Sequence, residues 1–158
     1  MRRIYRGKRV DNGEWVYGDL LYRRIWKTDI TIIRVEDSGF DAYEEYEVIP
    51  ETVGQYIGRI DKNSTKIFEG DIFKFPDEVW ESCYTSCGTE YNSWEVENYG
   101  VIGFAEYSAK YDFVKYKYNE NSVETDLHEN GTLDFVEFLA GLEIIGNIHD
   151  NSDLIEGT

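Results

Sequence analysis

Residues 48–72 constrain the fold more than any other stretch, because short apolar segments alternate there with turn-forming residues. An apolar set around Tyr56 is followed by the polar run 61–64, and the pair 67–68 then resumes the apolar pattern. This spacing predicts a β-hairpin. Gly70 predicts a second bend, since glycine accepts backbone angles that other residues avoid. Two short strands and two bends indicate a small barrel, although the stretch alone also fits an ordinary β-meander without functional content.

Length and composition indicate one folded domain over residues 1–158. The hydrophobic fraction is 41% and the aromatic fraction is 16%, which is enough to build a core and excludes general disorder. No apolar run approaches the roughly 18 residues of a membrane span. The basic N-terminus is not followed by the apolar segment of a signal peptide, so we expect an intracellular, cytoplasmic protein that does not contact a membrane.

Short strands are predicted before the central run. The dipeptide Asn12-Gly13 is the strongest turn signal in the chain, because it tolerates the positive φ angles of a two-residue hairpin turn. Residues 27–35 and 43–49 predict two further strands. The second of these ends at Pro50, which cannot donate a hydrogen bond within a sheet.

The second half of the chain is expected to be less regular. Residues 76–98 mix aromatic and acidic residues without periodicity, which predicts an insertion loop. A hairpin is predicted over 99–118, and one short C-terminal helix over 132–141, from a threonine N-cap to a terminating glycine. A last strand over 142–149 precedes a frayed tail at 152–158. The expected fold class is therefore mainly β, a β-rich α+β fold.

Three blocks of the sequence together resemble the YopX family of phage and prophage proteins. They are Tyr5-Arg6-Gly7-Lys8-Arg9 to Trp15-Val16-Tyr17-Gly18, the central residues 50–72, and the closing residues 142–151. The resemblance implies a β-rich fold with an SH3-like barrel and a source in a phage or prophage. It implies no activity and no catalytic residues. The chain departs from the expected pattern at Ser64, where the central turn would carry glycine.

The charge pattern points to a surface that binds a basic protein of the host or of a phage. The net charge is −16, and residues 75–109 contain seven acidic residues and no Lys or Arg. Aromatic anchors in an acidic frame suit such a partner. The candidate partner-binding residues are Trp80, Tyr84, Tyr91, Trp94, Glu78, Glu81, Glu95 and Glu97. The alternative is that these aromatic side chains fold back and cap the barrel.

Two other functions fit the same charge pattern. Rows of carboxylates can replace phosphates, so the chain could be a nucleic-acid mimic that inhibits a nucleic-acid-binding protein of the host. A third hypothesis is a nucleic-acid binder, because residues 1–34 hold nine basic residues against four acidic ones. Its candidate residues are Arg2, Arg3, Arg6, Lys8 and Arg9, together with Arg23 and Arg24. The negative charge of the whole chain makes nucleic acid the less favoured partner. Exposed strand edges permit self-association.

Residues that could carry chemistry do not form a recognisable catalytic or metal-binding pattern. Cys83 and Cys87 are the only cysteines, and their spacing differs from the tighter pairs of structural zinc sites, so we expect two reduced thiols. His149 beside Asp150 could act as an oriented base, but no nucleophile motif accompanies it. The acidic clusters lack the spacing of a calcium loop. We therefore expect a protein that is not an enzyme, with no cofactor and no metal.

Overall fold

A computed structural model describes residues 3–36, 42–105, 110–117 and 139–155, with the backbone alone for residues 77–81, 85 and 114–117. The described residues are mainly β and form two antiparallel sheets. The chain divides into two compact units, residues 1–59 with 66–69, and residues 60–65 with 70–158. None of the described helices is long and apolar enough to cross a membrane. The single domain expected from chain length stays a prediction.

The first unit is built on a six-stranded sheet. Its strands are β1 Tyr5–Lys8, β2 Trp15–Ile25, β3 Thr28–Glu36, β4 Tyr43–Glu47, β5 Gly54–Ile60 and β6 Lys66–Phe68. They lie in the order β4-β3-β2-β1-β5-β6. Aliphatic and aromatic side chains form the buried core, because their burial removes apolar surface from water. The core of this unit consists of Ile32, Ile33, Val48, Ile67 and Phe68.

The hairpin predicted at Asn12-Gly13 is confirmed, but its turn is longer than two residues. The N–H of Arg9 donates to the carbonyl of Glu14 at 2.9 Å, so four residues lie between them. Gly13 has φ of 74°, and the side chain of Asn12 accepts a hydrogen bond from the N–H of Glu14 at 3.0 Å. The two turn residues therefore act as the sequence predicts, within a wider loop.

The second unit is built on a four-stranded sheet. Its strands are β7 Asp71–Thr85, β8 Gly88–Ala105, β9 Lys110–Lys117 and β10 Glu143–Asn147, in the order β10-β7-β8-β9. Gly70 has φ of 83° and makes the predicted bend before β7. The rings of Phe75 and Phe113 stack with centroids 5.5 Å apart. Other buried apolar residues of this unit include Ile72, Phe73, Val101 and Ile102.

Asp61 joins the turn after β5 to strand β10 within the second unit. One oxygen of its buried carboxylate accepts hydrogen bonds from the N–H groups of Asn63 and Thr65, at 2.9 and 2.8 Å. The other accepts from the N–H of Ile144 at 3.2 Å. Ser64 in this turn has φ of 65°, which explains why glycine would also fit there. A single carboxylate thus satisfies three backbone donors.

The loop predicted over residues 76–98 is wrong. These residues belong to β7 and β8, which pair continuously from Ile72 opposite Val101 to Thr85 opposite Gly88. The frayed tail predicted over 152–158 is also wrong in its first part. Residues 152–154 form a 3₁₀ turn, and Ile155 is buried against Ile72 and Val101, while 156–158 lie outside the described residues.

Two finer predictions of fold are not confirmed. Neither sheet closes into a barrel among the described strands, so the SH3-like barrel stays a prediction. The helix predicted over 132–141 lies almost wholly outside the described residues. Leu139 and Ala140, near its predicted end, are helical, and Leu139 is buried.

We expect the variant Asp61→Ala to lower the free energy of unfolding by about 3 kcal/mol, because buried N–H groups lose a charged acceptor. Asp61→Asn keeps one acceptor oxygen and should lose less. Urea denaturation followed by tryptophan fluorescence measures both values. A loss in the alanine variant no larger than in the asparagine variant would contradict the role given to this carboxylate.

Candidate functional site

The outer part of the β7–β8 hairpin forms an arm, which comprises residues 76–97. β10 pairs with β7 only as far as Lys74, and β9 pairs with β8 only as far as Tyr99. Beyond these residues, within the described chain, β7 and β8 pair only with each other, out to the turn before Gly88. Pro76 fits this change, because proline cannot donate to a neighbouring strand and is suited to a sheet edge. The arm is therefore a two-stranded ribbon.

The register of the ribbon sorts the predicted partner-binding residues onto two faces. Opposite residues of an antiparallel pair share a face, as do alternate residues along one strand. One face has the positions of Glu78, Trp80, Tyr84, Tyr91, Glu95 and Glu97. The other has the positions of Glu81 and Trp94. Strand geometry thus places six of the eight predicted residues on one face, which a loop would not ensure.

The described side chains of the arm are exposed over most of its length. Tyr84 is 89% exposed and Tyr91 is 69% exposed, whereas Trp94 is 39% exposed. Only Val96, near the base, is buried. The alternative in which the aromatic side chains fold back is therefore wrong for Tyr84 and Tyr91. Both rings are available to a partner.

Among the acidic side chains of the arm that the structure describes, Glu97 near the base is neutralised by a cation, whereas Glu90 and Glu95 farther out are not. The ammonium group of Lys74 forms an ion pair with the carboxylate of Glu97, and this hydrogen bond raises the pKa of Lys74. No Lys or Arg among the described residues forms an ion pair with Glu90 or Glu95. The outer carboxylates therefore remain available to attract a cationic partner.

The two strand edges of the arm are open within the described chain. Along residues 77–84 and 89–96, each strand hydrogen-bonds to the other and leaves its outer backbone groups without a neighbouring strand among those described. Unpaired edges are templates for the addition of a further strand. The arm can therefore bind a partner through its backbone as well as through its side chains.

The basic residues of the N-terminal hairpin are used largely inside the first unit. Arg6 is only 6% exposed, and its guanidinium carbon lies 4.8 Å from the ring centre of Trp15 and 5.1 Å from that of Phe68. Its Nη2 donates to the carbonyl of Glu69 at 2.9 Å. This cation holds the core together and cannot reach a phosphate.

The remaining predicted cations are engaged to different degrees. Arg9 hydrogen-bonds to Asp11 at 2.9 Å and lowers the pKa of that carboxyl group. Lys8 lies over the ring of Trp15, at 5.6 Å from its centre. Arg3 is exposed, and Arg2 lies outside the described residues. Of the predicted nucleic-acid site in the N-terminal hairpin, only Arg3 is, among the described residues, exposed and not engaged by a neighbouring side chain.

Arg23 and Arg24 also lie beside carboxylates. Arg23 and Arg34 both bind Glu45, at 2.9 and 2.8 Å, and their hydrogen bonds lower the pKa of Glu45. Arg24 lies 3.3 Å from Asp29, and both side chains are exposed. Because these arginines pair with carboxylates, the positive charge that they present at the surface is smaller than the number of cations in the sequence.

The structure places the two cysteines and the histidine that were considered for chemistry. Cys83 and Cys87 are both exposed and are not joined by a disulfide. The N–H of His149 donates to the side chain of Asn147, which in turn donates to Asp150. Among the described residues, no group of three or more His, Cys, Asp or Glu side chains is placed to hold a metal ion.

Sequence reasoning missed the most exposed aromatic residue among those described. Trp26 lies in the turn between β2 and β3 and is 95% exposed, with φ of 59°. The pair Trp26-Lys27 contains no residue that favours a turn, so the turn itself carries no signal. Its only mark in the sequence is a large aromatic residue between two strand patterns.

Comparison with known proteins identifies a family. The family model described as "YopX protein" matches residues 4–156. The crystal structure of protein EF1440 from Enterococcus faecalis is similar, with 18% sequence identity, a TM-score of 0.49 and coverage of 99% of each chain. No curated protein matches the chain.

We expect Arg6→Ala to lower the free energy of unfolding by about 3 kcal/mol, because two ring contacts and a hydrogen bond are lost. The matched control Arg3→Ala removes an exposed arginine and should change it by less than about 0.5 kcal/mol. Urea denaturation checks both values. Equal stability of the two variants would show that Arg6 is not structural.

Proposed function

The chain belongs to the YopX family, and we propose that it is a non-enzymatic phage or prophage accessory protein that binds a protein through its arm. The partner is a basic protein of the host or of the phage, and binding takes place in the cytoplasm of the bacterial host. The observation that carries the proposal is the exposure of Tyr84 and Tyr91 on a ribbon where, among the described side chains, Glu90 and Glu95 form no ion pair with a Lys or Arg.

The side chains of the arm suit a protein interface. Tyrosine gives a large contact area at a low cost in conformational entropy and is enriched among the residues that dominate binding energy. Carboxylates around such anchors favour association with a cationic surface and raise the rate of encounter. The face that carries Tyr84, Tyr91 and Glu95 supplies both components.

The open edges of the arm favour an extended segment as the bound element. A strand added to either edge would form backbone hydrogen bonds and place alternate side chains on the face of the tyrosines. Lys or Arg at those alternate positions would lie on the face of Glu95, which the register places with both tyrosines. The proposed partner therefore presents a basic β-strand or an extended basic segment.

A nucleic-acid mimic is the second candidate. It is favoured by the positions of Glu78, Glu95 and Glu97 on one face of the ribbon, since carboxylates in a row replace phosphates electrostatically. The ion pair of Glu97 with Lys74 weighs against it, because this carboxylate is already neutralised. Direct nucleic-acid binding ranks third, since Arg6 is buried and Arg9 pairs with Asp11.

We expect the double variant Tyr84→Ala/Tyr91→Ala to capture its partner from host lysate at least ~10-fold more weakly than the parent chain, because two interface anchors are lost. Tyr43→Ala is the matched control, an exposed tyrosine on β4. Quantitative affinity capture with mass spectrometry measures the difference. Unchanged capture by the double variant would remove the arm from the proposal.

The two leading candidates differ in their response to DNA. Under the protein-binding proposal, duplex DNA should leave the captured partner in place, because the partner uses a surface other than a nucleic-acid cleft. A mimic instead predicts that duplex DNA displaces the partner and that Glu78→Gln/Glu95→Gln, which removes two charges from one face, abolishes capture. Competition assays at two salt concentrations decide this, since screening weakens exposed charge pairs. Displacement by DNA would replace the first candidate with the second.

A further inference from the structure

The turn between β2 and β3 presents a tryptophan at an energetic cost. Trp26 has φ of 59°, in the left-handed region that bulky residues avoid, and its side chain is 95% exposed. The unfavourable backbone angle is therefore not offset by burial of the ring. Strain of this kind at an exposed residue indicates a function that requires the side chain to be there.

The surroundings of Trp26 are apolar and basic. Ile25 and Tyr22 are exposed on the same hairpin. Residues 22–30 contain Arg23, Arg24 and Lys27 against the single acid Asp29, a sequence charge of 3 − 1 = +2, which the ion pair of Arg23 with Glu45 lowers on the surface. We call residues 22–28 the tip. No acid among the described residues is assigned to Lys27 as an ion-pair partner.

We propose that the tip of one copy docks on the arm of a second copy of this chain. The inference rests on the proposed function of the arm, since it names a partner for the same surface. The tip offers an aromatic ring beside cations, and the arm offers aromatic rings beside carboxylates. Trp26 would pack against Tyr84 or Tyr91, and Lys27 would pair with Glu95, which lies on the same face of the ribbon.

Complementarity between the tip and the arm favours a second copy over nucleic acid or an anionic membrane as the partner of the tip. The net charge of −16 repels nucleic acid and anionic membranes, and of these candidates only a second copy brings exposed tyrosine rings and a carboxylate together on one face of a ribbon. Two copies also repel each other at long range. At physiological ionic strength, however, the screening length is only about 8 Å, so charges in contact outweigh distant ones.

The first test is the mass of the protein in solution. Sedimentation equilibrium of the full chain should give a mass above that of one chain, rising with protein concentration. Trp26→Ala should weaken association at least tenfold, and Tyr43→Ala should leave it unchanged. Trp26→Gly should raise the melting temperature, because glycine accepts the positive φ, and should still abolish association. A strictly monomeric parent chain would overturn the inference, as would association that survives in the alanine variant.

The second test exchanges charges between the two surfaces. Lys27→Glu alone should weaken association, and Glu95→Lys alone should do the same. A mixture of the two variants should recover it, because the intact tip of Glu95→Lys can dock on the intact arm of Lys27→Glu, and the glutamate tip can pair with the lysine arm. Fluorescence-detected sedimentation of a labelled variant measures the mixed species. Failure of the mixture to recover association would overturn the docking arrangement.

The outcomes separate this inference from the proposed function. If the parent chain is monomeric but the tyrosines of the arm are still needed for partner capture, the docking of a second copy is excluded and the proposed function of the arm is kept. Vesicles of anionic lipid and a single-stranded oligonucleotide are tested with the parent chain and with Trp26→Ala. Binding of either one that requires Trp26, without self-association, would assign the tip to that ligand and overturn the second-copy proposal.

Discussion

The pairing of β7 with β8 is the constraint on which the candidate site depends. One continuous ladder runs from Ile72 opposite Val101 to Thr85 opposite Gly88. Its inner end lies in the core, where Phe75 stacks on Phe113, and its outer end is exposed. An isolated two-stranded ribbon is at best marginally stable in water. The arm is therefore stabilised by the buried end of the same two strands. Its outer residues do not need to pack in the core.

The sequence predicts the strands where one face of a strand is buried and a turn residue marks its end. Gly13 and Gly70 sit at positive φ where the pattern places turns, and Ile67 and Phe68 are buried as expected. Most of the predicted loop fails this criterion because the described side chains between residues 82 and 95 are exposed on both faces of the ribbon, so burial imposes no alternation on them. Pairing with a neighbour over a long ladder, rather than amphipathic pattern, makes these residues strands.

The candidate site is predictable in composition but not in geometry. Acidic and aromatic residues are visible in the sequence, whereas their division between two faces follows from the register of β7 against β8, which pairs Glu78 with Glu95 and Val79 with Trp94. Register is a tertiary property and has no local signal in a segment without alternation. Trp26 was missed for a related reason, since its turn lacks the residues that normally mark one.

Charge counted along the chain differs from charge presented on the surface. The N-terminal residues are rich in cations, but the structure buries Arg6 between two rings and pairs Arg9 with Asp11. Burial of a guanidinium is tolerable when rings and a carbonyl replace its water, as they do here. The arm shows the opposite case, because Glu90 and Glu95 lie on an exposed ribbon whose sequence contains no base. The net charge of −16 therefore does not show that Arg6 and Arg9 serve the fold of the first unit, or that Glu90 and Glu95 of the arm are exposed.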